Sequence, residues 1–110
     1  MGNAKSLIGL VNGGWCSLPF EPFKEGVEAH WLQRETPQMA ILRYAPGASV
    51  GRHRHEGLET ILVLEGTQSD ETGTFEAGDF VMNAQGSDHS VWSETGCVVL
   101  LQWHKPVTFL

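Results

Sequence analysis

Residues 47–66 read GASVGRHRHEGLETILVLEG, and this stretch carries the most informative pattern in the 110-residue chain. His53 and His55 are two positions apart, so both imidazoles project from the same face of an extended strand and can bind one ion. Gly57 then allows the chain to bend, so that the next strand can begin with Glu59 directed back at the same point. The stretch therefore predicts a site of two imidazoles and one carboxylate.

Short apolar runs separated by glycine-bearing turns recur along the chain, and no long segment has a clean helical period. The predicted strands cover residues 27–35, 38–45, 59–64, 73–77, 80–83, 89–93 and 97–103. The turns that separate them carry glycine at Gly47, Gly66, Gly78, Gly86 and Gly96. Regular strands with such turns predict an all-β sandwich or barrel.

The chain is long enough for one hydrophobic core and too short for two. Residues 1–25 contain Gly13, Gly14, Pro19 and Pro22, which indicate an irregular N-terminal arm that crosses the surface. The predicted strands all lie in residues 26–110. We therefore expect one domain, made of this arm and a β-barrel.

A formal charge of -6 and a pI near 5.2 disfavour binding to a phosphate backbone, so nucleic acid is not an expected partner. The apolar run at residues 7–11 is too short for a signal-peptide core or a membrane span. We therefore expect a cytoplasmic protein that does not bind membranes. Residues 1–6 read MGNAKS and formally fit the N-myristoylation pattern, a short pattern that often matches by accident.

The remaining cysteine and acidic residues do not predict a further metal site. Cys16 and Cys97 belong to no CXXC pair, so the sequence predicts neither a thiolate zinc site nor a redox dithiol, while a disulfide between them stays open. Asp70 and Glu71 are interpreted as the tip of a hairpin, because a short acidic pair offers too few oxygen ligands for calcium.

His89 is the candidate fourth ligand of the site formed by His53, His55 and Glu59. Three neutral imidazoles and one carboxylate suit a divalent transition metal such as Fe, Zn, Mn or Ni better than Ca or Mg, which prefer oxygen ligands. An octahedral ion would keep two open positions for a substrate or ligand, whereas four-coordinate zinc would keep none. Arg52 and Arg54 alternate with the histidines and are expected to face away from the ion, and His30 and His104 are expected to have structural or surface roles.

The spacing of these residues resembles the cupin motifs. The first motif matches at each fixed position, as Gly47-X5-His53-X-His55-X3-Glu59-X6-Gly66. The second motif is looser: Gly78, Gly86 and His89 have the expected spacing, but Ala84 replaces the usual proline and Ser93 the usual asparagine. The resemblance implies a single-domain cupin, that is, a double-stranded β-helix or jelly-roll barrel, with a metal ion bound inside it.

Within the cupins, ETILVLEGTQSDETGTFEAGDFV and GSDHSVWSETGC are similar to the cupin domain of ChrR-type anti-sigma factors and their stand-alone relatives. This similarity implies a metal in the barrel and, in some relatives of this size, a dioxygenase reaction on small diketones. It does not imply sigma-factor binding, because the zinc-bearing N-terminal helical domain that performs it has no counterpart in this sequence.

The predicted pocket walls follow from strand alternation. Ile61 and Val63 are directed to the same side as Glu59, and Val91 and Ser93 to the same side as His89. A metal in such a mostly apolar pocket suits a small, partly hydrophobic ligand.

Three functions are compatible with this site. The first is a metal-dependent dioxygenase-like enzyme for an enolisable compound such as a diketone, in which the metal centre itself is catalytic and no side chain is assigned as the base. The second is a non-catalytic ChrR-like sensor or ligand-binding module, and the third is a barrel with a purely structural metal.

A homodimer is expected as well, because cupins are commonly dimers and some of the four tryptophans could pack against a second subunit. The alternative is that all four pack within one chain. They are Trp15, Trp31, Trp92 and Trp103.

Overall fold

The computed structural model describes residues 4–110, so the first half of the MGNAKS pattern lies outside the described residues. Two short 3-10 helices, Leu10–Asn12 and Gly14–Ser17, precede the strands. The strands are β1 (Glu21–Lys24), β2 (Val27–Gln33), β3 (Gln38–Tyr44), β4 (Ser49–Arg54), β5 (Glu59–Asp70), β6 (Gly73–Glu76), β7 (Phe80–Asn83), β8 (Asp88–Trp92), β9 (Cys97–Trp103) and β10 (Thr108–Phe109). Within residues 4–110, no helix has the length and apolar character needed to cross a membrane.

The strands form one antiparallel sheet that curls on itself, in the order β1-β2-β3-β9-β5-β8-β4-β10, with β6 and β7 paired to β5. Apolar side chains from most strands meet inside the curl and form its core. The predicted all-β, single-domain jelly-roll barrel is confirmed.

β5 is the strand that joins the two halves of this barrel. Its first residues pair with β7 and β9, and its last residues pair with β6 and β8. The register against β9 shifts between Val63 and Glu65, which marks a β-bulge. The turn predicted at Gly66 is therefore wrong, because the chain bends there and continues in the same strand.

Gly66 is required at this bend for two reasons. Its φ of 71° lies in the left-handed region, which side chains other than glycine rarely adopt. A Cβ at this position would also overlap the carbonyl oxygen of Gly96 and lie 3.0 Å from Cys97 Cα. The bulge thus brings β5 and the start of β9 into direct backbone contact.

Strands β1, β4 and β10 were not among the predicted strands. β4 has the sequence SVGRHR, which lacks apolar alternation because its inward positions are occupied by Val50 and His53. β1 lies at the end of the predicted irregular arm, where it pairs with β2. β10 pairs with β4 over only two residues. Strand pairing holds these short or polar segments in place, and a pattern of apolar residues does not report it.

The N-terminal arm packs on the outer face of the sheet. Trp15 of the second 3-10 helix is buried against Ile41 and Val98, which project outward from β3 and β9. Trp103 is buried inside the barrel, whereas Trp31 and Trp92 are only partly buried. Trp15 and Trp103 are thus buried within the chain, and the homodimer stays a prediction.

The two cysteines are free. Cys16 is exposed in the arm, whereas Cys97 is buried at the start of β9. Burial raises the pKa of the Cys97 thiol to about 11. Because a thiol reacts as its thiolate, Cys97 is unreactive near neutral pH.

Replacing Gly66 with alanine is expected to lower the free energy of unfolding by more than about 2 kcal/mol, because the new methyl group combines an unfavourable φ with a backbone overlap. Urea denaturation measures the change. Gly51→Ala is the matched control, since Gly51 has no positive φ and open space around its Cα. Equal stability of the two variants would contradict the assigned role of the bulge.

Candidate metal centre

Four side chains converge inside the barrel from three strands and one connection. His53 lies in β4 and His55 directly after it, Glu59 begins β5, and His89 lies in β8. Each is at most 5% exposed. One ligand atom from each residue lies within 4.8 Å of the other three. The structure thus brings together all four residues that the sequence predicted as metal ligands.

Strand pairing explains why the histidines meet. His53 and His89 are direct partners in the antiparallel pairing of β4 with β8, so their side chains leave the same face at the same height. In a regular strand, residues three positions apart lie on opposite faces. A register shift between Val50 and His53 turns both of these side chains inward instead. The backbone of His55 is held beyond the end of β4, where its N–H donates to the Ser87 carbonyl over 2.8 Å.

Gly57 contributes to the site through close packing. A Cβ on Gly57 would lie 3.0 Å from His104 Cβ and 3.1 Å from the Lys105 backbone nitrogen. Its φ is not positive, so the bend expected from the sequence needs glycine for space and not for a left-handed conformation. This space allows the connection between His55 and Glu59 to pack closely against His104 and Lys105.

The Nδ1 atom of each histidine faces a hydrogen-bond acceptor. His53 Nδ1 lies 2.8 Å from the Gly51 carbonyl, His55 Nδ1 lies 3.0 Å from the Ser87 carbonyl, and His89 Nδ1 lies 3.0 Å from Asp70 Oδ2. A carbonyl or carboxylate oxygen can only accept, so each Nδ1 carries the proton and donates it. In the neutral form, each Nε2 is then an unprotonated acceptor.

These Nε2 atoms point at one another and at Glu59. His89 Nε2 lies 3.1 Å from His53 Nε2 and 3.7 Å from Glu59 Oε1. His55 Nε2 lies 3.0 Å from Glu59 Oε1, yet it has no hydrogen-bond partner among residues 4–110, because the angles of the contact do not fit one. Acceptors packed this closely repel one another unless a cation lies between them.

Glu59 is held as a carboxylate by donors on its far side. Asn83 Nδ2 donates to Oε1 over 2.9 Å, and the indole Nε1 of Trp103 donates to Oε2. Burial alone would raise the pKa of Glu59, but the contacts with His55 and Trp103 outweigh it and hold the pKa below its usual value. These contacts therefore favour the carboxylate form of Glu59.

The pKa values of His53 and His55 are shifted in opposite directions. Burial lowers the pKa of His53, and the neighbouring imidazoles add to this effect. Burial also acts to lower the pKa of His55, but Glu59 outweighs it, so the pKa of His55 is raised. A proton on His55 and a metal ion would compete for the same Nε2 lone pair. This donor set fits a divalent transition metal, because three imidazole nitrogens and one carboxylate are the ligands that such ions prefer.

The partners behind the ligands were not found by sequence reasoning. Asp70, Ser87, Asn83 and Trp103 each contact one ligand and lie 19 to 44 positions away from it along the chain. No local motif connects residues at such distances, and only the strand register places them. Asp70 does lie at the predicted hairpin tip, where β5 ends before β6.

A small cavity, of about 20 Å³, lies beside the ligands. Ile61 and Val91 line it together with His53, Glu59 and His89, as expected for pocket walls. Most of the other lining side chains are apolar. They include Phe23, Leu42, Val50, Leu101 and Trp103.

Val63 and Ser93, the other two predicted wall residues, are buried but are not among the residues that line this cavity. Each lies four residues beyond a ligand, about 13 Å along an extended strand. Val63 belongs to the apolar core, and Ser93 Oγ donates to the Thr67 carbonyl over 2.6 Å. Strand alternation predicted the correct face of the strand but not the depth of the cavity.

The other polar residues near the motif lie outside the cluster. Arg52 pairs with Asp88, and Arg54 pairs with Glu56 over 3.1 Å, so both guanidinium groups face the surface. His104 is exposed. His30 contacts the Pro19 carbonyl through Nδ1 over 2.7 Å, which ties β2 to the N-terminal arm.

His55→Ala is expected to reduce affinity for Zn²⁺ more than about 100-fold, because it removes one of four ligands from a site whose outer partners alone are worth 10- to 100-fold. Competition with a chromophoric chelator measures the affinity, and elemental analysis measures the metal content. His104→Ala removes an exposed histidine outside the cluster and is expected to bind like the unmodified protein. Equal affinity of the two variants would show that metal binds elsewhere.

Known proteins are similar to this chain in sequence and in fold. The family model described as the ChrR cupin-like domain matches residues 15–107. The anti-sigma-E factor ChrR of Cereibacter sphaeroides is 39% identical over 87 residues, which are 76% of this chain and 41% of that protein. This chain thus spans less than half the length of that relative.

Solved structures agree with this assignment. The complex of Rhodobacter sphaeroides SigE with the anti-sigma factor ChrR matches with a TM-score of 0.72 and 30% identity, over 79% of this chain and 49% of that one. An acetylacetone dioxygenase from Acinetobacter johnsonii matches with a TM-score of 0.77 and 20% identity, over 83% of this chain and 71% of that one, which shows a shared fold. The chain belongs to the family of ChrR cupin-like domains.

Proposed function

We propose that this chain is a metal-dependent sensor domain, in which His53, His55, Glu59 and His89 bind one divalent transition metal ion. The observation that carries the proposal is the convergence of one ligand atom from each of three histidines and one glutamate within 4.8 Å, inside the barrel. Buried acceptors that face one another are unfavourable until a cation lies between them. Among common ions, Fe, Zn, Mn and Ni match these ligands.

When bound, such an ion would supply a Lewis-acidic centre that can bind a small molecule or react with an oxidant. The chain supplies the environment of that centre. Phe23, Ile61 and Val91 line the cavity beside the site with apolar surface. Asn83 and Trp103 fix the orientation of the Glu59 carboxylate.

Two observations support a sensor of small molecules over an enzyme for larger ones. The small cavity, of about 20 Å³, favours a ligand of a few heavy atoms, whereas pentane-2,4-dione has seven and would need the cavity to enlarge. The curated relative at 39% identity is named an anti-sigma factor, so a regulatory protein partner is proposed for this chain as well.

A dioxygenase that acts on an enolisable compound such as a diketone is the second candidate function. It is favoured by the position of the cavity, which lies directly beside His53, Glu59 and His89 and is lined by apolar side chains. This candidate requires the side chains at the cavity to move and enlarge it. Dioxygenases among the structural neighbours support it through the fold alone.

Cobalt-loaded protein is expected to change its visible absorption spectrum with azide and not with the same concentration of pentane-2,4-dione, because only the smaller ligand fits the cavity. Val91→Phe fills the cavity and is expected to abolish the azide response while the metal content stays unchanged. Spectral titration measures both responses.

Two outcomes of that titration would contradict the sensor proposal. A response to the diketone, together with diketone-dependent oxygen uptake by the iron-loaded protein, would establish the dioxygenase candidate instead. No response to either ligand would indicate a purely structural metal, whose removal would only lower the melting temperature.

A homodimer is also proposed, because Phe80 and Met82 of β7 are 59% and 62% exposed on the outside of the barrel. Large apolar side chains that lie together on a surface often mark an interface. Sedimentation velocity is expected to show a dimer at micromolar concentration, and Met82→Lys is expected to shift it towards monomer. A monomer at all concentrations would contradict the proposal.

A further inference from the structure

The three histidine ligands differ in the group that holds them from behind. His53 and His55 donate their Nδ1 protons to backbone carbonyls, those of Gly51 and Ser87. His89 donates instead to the side-chain carboxylate of Asp70, over 3.0 Å. A carboxylate acceptor makes a hydrogen bond roughly twice as strong as a neutral one and makes the imidazole a stronger electron donor.

The carboxylate of Asp70 is buried and fully engaged. Asp70 is only 7% exposed. Its Oδ1 accepts from the Thr72 backbone N–H over 2.8 Å and from the Thr72 hydroxyl over 2.6 Å, which leaves Oδ2 for His89. Each of these contacts brings a donor to Asp70, so the tight β5–β6 hairpin holds it as a carboxylate in one orientation.

The charge of the site gives Asp70 a second role. A divalent ion bound to neutral imidazoles and to Glu59 leaves one positive charge uncompensated in a buried site. Uncompensated buried charge is costly, because the barrel interior solvates it poorly. Asp70 supplies one further negative charge on the far side of the His89 ring, which makes the whole centre neutral.

We propose that Asp70 is a positioning residue and the second anion of the metal centre, acting through His89. It fixes the His89 tautomer and ring orientation, and it makes His89 the strongest donor of the three imidazoles. The proposal rests on the metal-binding part of the proposed function and adds to it a residue that does not touch the ion.

Glu71 shows that the adjacent carboxylate has a different task. Its side chain accepts from the Ser90 backbone N–H over 3.1 Å and lies 3.5 Å from a guanidinium nitrogen of Arg52. These contacts fasten the hairpin tip to β8 and β4 without reaching a ligand. Glu71→Gln is therefore a matched control, because it removes the same charge one residue away.

Asp70→Asn is expected to weaken Zn²⁺ binding 10- to 100-fold, the usual effect of removing an outer partner of a ligand. The NH₂ group of the new amide faces either the His89 donor or the Thr72 donors. One of the hydrogen-bonding contacts of Asp70 is therefore lost in both orientations. Glu71→Gln is expected to change the affinity less than about threefold, since a surface charge that contacts no ligand has a small effect. Chelator competition measures the Zn²⁺ affinity of the unmodified protein and of both variants.

A loss in Glu71→Gln as large as that in Asp70→Asn would overturn the special role of Asp70.

Proton NMR of the zinc-loaded, unmodified protein tests the donor strength of His89 without any risk to folding. Its Hδ1 resonance is expected to lie furthest downfield of the three ligand imidazoles, because its hydrogen bond is charge-assisted. In folded Asp70→Asn this resonance is expected to move upfield, which a purely structural role would not cause. Similar shifts for all three imidazoles would overturn the proposal even if Asp70→Asn failed to fold.

The metal centre and the role of Asp70 can be contradicted separately. If the unmodified protein does not bind Zn²⁺ through His55, the proposed metal centre is wrong and the role of Asp70 falls with it. If the unmodified protein binds and folded Asp70→Asn binds equally well, only the role of Asp70 is wrong.

Discussion

The structure depends on the burial of four acceptor groups that face one another. Each imidazole has its Nδ1 proton committed to an acceptor behind it, so the three Nε2 atoms and the Glu59 carboxylate have only one another in front. Such an arrangement is unfavourable by itself, since the low dielectric of a protein interior strengthens repulsion as well as attraction. A cation of the right type converts this cost into binding energy, which is why the cluster indicates a metal centre.

The barrel supports this arrangement from several strands at once. β8 faces β4 in the register that pairs His53 with His89, and β5 carries Glu59 at one end and Asp70 at the other. β5 reaches both positions because the bulge before Gly66 bends this strand from one half of the barrel to the other. The same strand thus supplies a ligand directly and, through its hairpin, supports another.

The cavity links this centre to function. It lies beside the ligands, is walled by apolar side chains and is small. A site of this kind can admit a small ligand while excluding bulk water and larger molecules. The relative at 39% identity is named an anti-sigma factor. The acetylacetone dioxygenase neighbour shows that a similar barrel also occurs in an enzyme.

The sequence by itself determined the all-β fold class and the candidate ligands His53, His55 and Glu59, because glycine turns, strand alternation and the spacing of these three residues are local features. The resemblance to the second cupin motif supported His89 as the fourth candidate. Only the tertiary structure decided that Gly66 lies in a bulge, that Val63 and Ser93 lie away from the cavity, and that Asp70 holds His89. These facts depend on strand register and on side-chain depth. Register joins residues far apart in the chain, and no local pattern records which of them become neighbours.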